Sequence, residues 1–165
     1  MIKNFIFTTI ISIFLITSSY SAGSSSSSGD GGSTKSNYEK AVSYIKSAKK
    51  LEKKGKIEKA NKKYEKAQKL LLKSNKKKPN KPDTLNYLGF TTRKLGDFES
   101  GEKYYLQGLA INPTHIGINE YLGELYVSTG RHNLAVERLE ILKGCNCKEY
   151  EQLKAIIAGE KVSKY

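Results

Sequence analysis

The sequence predicts an all-α domain built as a solenoid of three antiparallel helix pairs with a further helix closing its C-terminal end. Three observations carry this. Tyr-Leu-Gly is written at Tyr87 and again at Tyr121, 34 residues later, and each is followed by a second glycine, Gly96 and Gly130. A fixed period of this size marks stacked supersecondary units. A small residue then recurs five positions after each turn glycine, at Ala60, Gly101 and Ala135. Finally, "CKEYEQLKAIIAGEK" reads as an amphipathic helix with Tyr150, Leu153, Ile156 and Ile157 on one side.

The domain is expected over 37–164, with units at about 41–81, 82–115 and 116–149 and the capping helix at about 148–161. In the first unit, Tyr44, Ser47, Ala48 and Leu51 belong to the first helix, Gly55 to the turn, and Ala60, Tyr64 and Ala67 to the second. Gly55 lies 41 residues before Gly96, more than one period. The excess falls after Leu72, in "KSNKKKPNKP", and predicts a second helix about two turns longer, stopped by Pro79 and Pro82.

Gly89, Gly101 and Gly108 lie inside predicted helices, where glycine costs about 1 kcal/mol relative to alanine. They are expected where backbones approach closely, Gly89 against Gly101 and, in the first unit, Ala48 against Ala60. Tyr105, Tyr64 and Leu139 should fill the space beside each contact. Gly55, Gly96 and Gly130 sit where a left-handed residue ends the first helix of a pair.

Leu85, Leu88, Gly89, Gly96, Gly101, Tyr105, Gly108 and Pro113 together resemble the tetratricopeptide repeat. Leu85 stands where that family has a large aromatic, and Thr92 where it usually has Tyr. The resemblance implies a right-handed α-solenoid in which the first helix of each unit lines a concave groove for an extended or helical peptide. The corresponding positions are Val42, Ile45 and Lys49, then Asp83, Asn86, Phe90, Arg93 and Lys94, then Glu120, Glu124, Val127 and Ser128. The subfamily that grips the C-terminal carboxylates of heat-shock chaperones has Lys, Asn and Arg at set places. Here those places hold Ile45, Lys49, Tyr87, Gly117 and Tyr121, so that mode is not expected. The last third of the chain also resembles small exported tetratricopeptide proteins of Gram-negative bacteria, which implies a periplasmic protein and no particular activity.

Residues 1–21 read as a secretory signal peptide: Lys3, an apolar run from Phe5 to Ile16, and small residues at Ser19 and Ser21. An uncleaved anchor is the alternative. A lipoprotein is excluded, because Cys145 and Cys147 are the only cysteines. Residues 22–36, rich in Ser and Gly, read as a flexible linker, too polar to offset its chain entropy by burial. The formal net charge of +13 is uneven: Lys35 to Pro82 holds 18 Lys against 4 Glu, while Asp83 to Tyr165 holds 10 Lys plus Arg against 11 acidic residues. The first unit could therefore meet an anionic surface, or be a solvated lysine-rich face. No Arg accompanies those lysines, and no specific nucleic-acid partner is expected.

The sequence carries no phosphate-binding glycine loop, no His-Glu-x-x-His and no Gly-x-Ser-x-Gly, so neither catalysis nor a cofactor is expected. His115 falls in an inter-repeat turn and His132 at the packing position held by Phe98 in the preceding unit. Cys145 and Cys147 are a disulfide candidate. The readings left open are a local staple, a thiol–disulfide couple and a soft-metal site, though two thiolates alone make a poor metal site and no metal is expected.

The expected partner-binding groove comprises Lys49, Asn86, Phe90, Arg93, Lys94, Glu120 and Glu124. Asn86, Phe90 and Arg93, spaced i, i+4, i+7, share one face, with Phe90 expected to be exposed to a ligand. The expected function is a periplasmic protein- or peptide-binding scaffold. The alternatives are an electrostatic adaptor binding anionic lipid, lipopolysaccharide or another polyanion through the first unit, and a redox protein using the cysteine pair.

Overall fold

The computed structural model describes residues 35–161; the signal-like segment and all of the linker except Lys35 and Ser36 lie outside these. Seven helices follow in order: α1 Asn37–Glu52, α2 Ile57–Lys77, α3 Pro82–Lys94, α4 Phe98–Ile111, α5 Ile116–Ser128, α6 His132–Leu142 and α7 Lys148–Ile157. Among the described residues there is no strand.

The starts of these helices are written locally. Ser36 caps α1 in a reciprocal box: its hydroxyl accepts from the Glu39 amide at 3.2 Å, and the Glu39 carboxylate accepts from the Ser36 amide at 2.7 Å. Pro82 opens α3, where an absent N–H costs nothing. Asp97 caps α4 by accepting from the Ser100 amide at 2.9 Å. His115 Nδ1 does the same for α5, accepting from the Ile118 amide at 3.2 Å.

The first helix of each pair ends at a glycine with φ of +68° at Gly55, +96° at Gly96 and +74° at Gly130, the left-handed region anticipated from their spacing. Helix α2 runs 21 residues against the 14 of α4 and ends just before Pro79.

Helices α1 and α2, α3 and α4, and α5 and α6 pack as hairpins, neighbouring hairpins meet through α2–α3 and α4–α5, and α7 packs on α5 and α6. One buried cluster joins Ala41, Ile45 and Ala48 of α1, Ala60, Tyr64, Ala67 and Leu71 of α2, and Leu85, Leu88 and Phe90 of α3. A second joins Tyr105, Leu109, Ile118, Leu122, Leu125, Tyr126 and Ala135.

The helical glycines sit at close contacts. A Cβ on Gly89 would lie 2.5 Å from the Tyr105 ring, and one on Gly101 would lie 3.1 Å from the Gly89 carbonyl oxygen. The third pair departs from expectation. Leu139 is only half-buried, and the space over Gly123 is taken instead by Leu153 of α7, 2.6 Å from where a Cβ would stand. The closing helix thus supplies what a hairpin's own second helix supplies to Gly89. His132 is exposed rather than packed like a core aromatic.

Candidate functional site

The first helices of the three pairs and α7 face a common cleft of about 750 Å³. Lys49 and Glu52 enter it from α1, Phe90 and Lys94 from α3, Glu120, Tyr121 and Glu124 from α5, and Gln152 and Ile156 from α7. Lys53, Ile57 and Lys161 stand at its rim; Ile57, at 54% exposure, offers apolar surface to solvent.

Two of the seven residues expected to form a groove, Asn86 and Arg93, do not line this cleft, and Phe90 lines it without being exposed. Asn86 is 7% exposed and packs beside Gly117. Arg93 is 1% exposed; it donates from Nη1 to the Tyr121 carbonyl at 2.6 Å and from Nη2 to Glu124 Oε2 at 3.0 Å. Phe90, also 1% exposed, meets Tyr64 edge-on with centroids 5.7 Å apart and Tyr121 at 5.0 Å. The exposure expected for these three is corrected by the placement of α3. It packs against α1, α2, α4 and α5, so the face that looks polar in an isolated amphipathic helix is covered by neighbours. An i, i+4, i+7 pattern fixes which residues share a face and says nothing about what lies opposite.

Lys49, Lys94, Glu120 and Glu124 do line the cleft. The Lys49 ammonium donates to Tyr121 Oη at 3.0 Å and lies 4.4 Å above the Phe90 ring centre. Lys94 pairs with Glu52 at 2.5 Å, and Glu52 also accepts from Tyr64 Oη at 2.8 Å. Burial pulls both ammonium groups below their ordinary range, with carboxylates opposing the shift: Glu120 for Lys49, Glu52 for Lys94.

Glu120 differs from its neighbours. At 5% exposure its carboxyl is pushed up to about 8, first by burial and then by Glu124 and Glu149, with Lys49 and Lys148 opposing. The spacing of Glu120 and Glu124 was legible; their desolvation was not, because it comes from α7 packing on α5 and from a cleft whose wall α1 shares. Glu52, Tyr121, Ile57, Gln152 and Ile156 are lining residues that sequence reasoning missed. The signal for the last two was present in the amphipathic pattern of the closing helix, which lines the cleft as though it were a fourth first helix.

Cys145 and Cys147 are bonded to each other in the turn between α6 and α7. Among the described residues no group of three His, Cys, Asp or Glu side chains could hold a metal ion, and no helix is long and apolar enough to cross a membrane. All the first unit's lysines except Lys49 and Lys63 are exposed.

Residues 83–115, which span α3, α4 and the turn to α5, match the family model described as tetratricopeptide repeat. No curated protein matches the chain. Among solved structures, the chain is similar to the first tetratricopeptide domain of Spaghetti (RPAP3), determined with an HSP90 peptide bound, at 18% identity and a TM-score of 0.48, over 76% of this chain and 95% of that one. The family model covers the second helix pair, residues 83–115, and a glycine-stopped hairpin of the same kind stands before and after it, so the chain carries a tetratricopeptide repeat within an all-helical array of three such pairs.

Proposed function

We propose that this protein is a non-enzymatic scaffold that holds a protein or peptide partner in the cleft formed by α1, α3, α5 and α7. The observation that carries this reading is the cleft itself, about 750 Å³, bounded by apolar surface from Ile57 and Ile156 and by polar groups of both signs. Solenoids present such concave faces for extended ligands, and a few convergent polar groups among apolar ones fix a ligand's orientation. Export to the periplasm belongs to the proposal and is supported by Lys3, the Phe5–Ile16 run and Ser21.

Photo-crosslinking tests the reading. A benzophenone residue at Ile57 or Gln152 should capture a discrete partner from an extract of the source cells, while the same residue at Leu106, exposed on α4, should not. Ile57→Asp should weaken that capture without loss of helical circular dichroism. Equal capture from Leu106, or capture abolished only by substituting exposed lysines of α1 and α2, would favour the electrostatic alternative. N-terminal sequencing of the native protein should recover a chain starting at or near Ala22.

A further inference from the structure

Glu120 is nine-tenths buried on the cleft wall, yet its carboxyl makes no hydrogen bond or ion pair with any described residue. The cleft's other charged groups on α1, α3 and α5 are engaged: Glu124 with Arg93, Lys94 with Glu52, and Lys49 with the Tyr121 hydroxyl and the Phe90 ring. The charges that act on Glu120 from the elements around it are Glu124 on its own helix, Glu149 and Lys148 on α7, and Lys49 on α1. The carboxylates outweigh the ammonium groups. The Glu120 oxygens are not among the side-chain atoms sealed from solvent without a partner, so they open into the cleft, and a nearly buried carboxyl opening into a cleft marks a place where a ligand completes the bonding.

The chemistry of that ligand follows from what would satisfy Glu120. An anion would face Glu120, Glu124 and Glu149, and the rim lysines Lys53 and Lys161 are not among the charges that act on Glu120. A purely apolar segment would bury the carboxyl further and leave it unsatisfied. A cation satisfies it directly, and the Tyr121 ring and Ile156 beside it offer a surface for an aliphatic stem. Resting on the scaffold reading above, we infer that the cleft selects a peptide ligand carrying a lysine or arginine side chain whose cationic head bonds the Glu120 carboxylate.

Because burial holds the Glu120 carboxyl protonated near neutrality, seating a cation there expels its proton to solvent. Affinity therefore rises with pH, by close to tenfold per unit well below about 8 and by less on approaching it.

The test starts from a phage-displayed library of random dodecapeptides selected on the full chain. The expected result is enrichment of lysine or arginine at one position, lost on Glu120→Gln and partly kept on Glu120→Asp, with helical circular dichroism unchanged in both. Replacing the selected arginine by citrulline, or the lysine by norleucine, should weaken binding about 30-fold or more in the wild type and add little in Glu120→Gln. The wild-type affinity should rise about tenfold from pH 6 to pH 7, and that rise should vanish in Glu120→Gln. Selected peptides that bind without a basic residue, or that bind Glu120→Gln equally well, would overturn the inference and leave the scaffold standing. Enrichment of no peptide at all would overturn both.

Discussion

Arg93 on α3 and Glu124 on α5 form an ion pair of 3.0 Å with both side chains buried, and the same guanidinium donates to the Tyr121 carbonyl at 2.6 Å. One side chain therefore joins the second and third pairs through both main chain and side chain. A pair this buried stabilises little over a well-packed apolar substitute, but removing one member leaves the other charged and desolvated. Arg93→Ala should cost about 3–5 kcal/mol in denaturant unfolding. Arg93→Lys should recover only part of this, because an ammonium cannot reproduce the two-pronged donation. A loss below about 1 kcal/mol would mean that the hairpins are held together by apolar contact alone.

Glu120 gives stability a definite pH dependence. Its carboxyl binds a proton more tightly in the folded chain, at about 8, than the ordinary value of 4.5 it has when unfolded. The folded state thus holds more protons between these values, so this group's contribution is complete below about 4.5 and is lost as pH rises through about 8. Unfolding midpoints measured from pH 5 to 8 should fall with pH in the wild type. Glu120→Gln should flatten the slope and be the more stable protein at pH 8. Parallel profiles for the two proteins would show that water or rearrangement relieves this carboxyl.

Tyr105 separates packing from hydrogen bonding. Its ring occupies the space over Gly89, whose Cβ would lie 2.5 Å away, whereas its hydroxyl is buried with no hydrogen-bond partner among the described residues. Gly89→Ala should destabilise by about 1–2 kcal/mol, overpacking outweighing the gain in helix propensity. Tyr105→Phe should be neutral or stabilising by up to about 1 kcal/mol. If Tyr105→Phe were instead strongly destabilising, a bridging water would have to satisfy the hydroxyl.

The cysteine bridge closes a ring of three residues between α6 and α7. So small a ring removes little conformational freedom from the unfolded chain, and the core lies in the hairpins and α7. Replacing both cysteines by serine should leave helical circular dichroism unchanged and the unfolding midpoint nearly so. Loss of most helical signal would make the bridge a structural requirement.

Much of the fold is legible in the sequence because its signals are local. Gly96 and Gly130 stop helices through their own φ, Ser36 and Asp97 start them through their own side chains, and the 34-residue interval reports the hairpin directly. The cleft is less legible because its properties come from residues distant in sequence. Phe90 is buried by Tyr64, Tyr121 and Lys49, one from each of three different helices. Glu120 is desolvated within a cleft that α1 and α7 help to wall. Periodicity assigns faces; which faces are covered depends on how many neighbours a helix has, and α3 has one on every side.

That burial changes what a substitution at Phe90 measures. The ring sits between Tyr64 of the first pair and Tyr121 of the third, with centroids 5.7 and 5.0 Å away, and carries the Lys49 ammonium on its face. Truncation opens a cavity where three units of the solenoid meet. Phe90→Ala should therefore cost about 3–5 kcal/mol of stability, and Phe90→Leu considerably less, because most of the volume is kept. The Lys49 ammonium would also lose the ring face that offsets part of its burial, so Phe90→Ala should free Lys49 to reach solvent, with reductive methylation of Lys49 becoming faster than in the wild type. Loss of partner binding in Phe90→Ala alone would then report a disordered cleft rather than a missing contact, whereas Ile57→Asp, at the exposed rim, reports the contact itself. An unfolding free energy for Phe90→Ala within about 1 kcal/mol of wild type would show that the ring is dispensable to the core, and would restore it as a direct ligand contact.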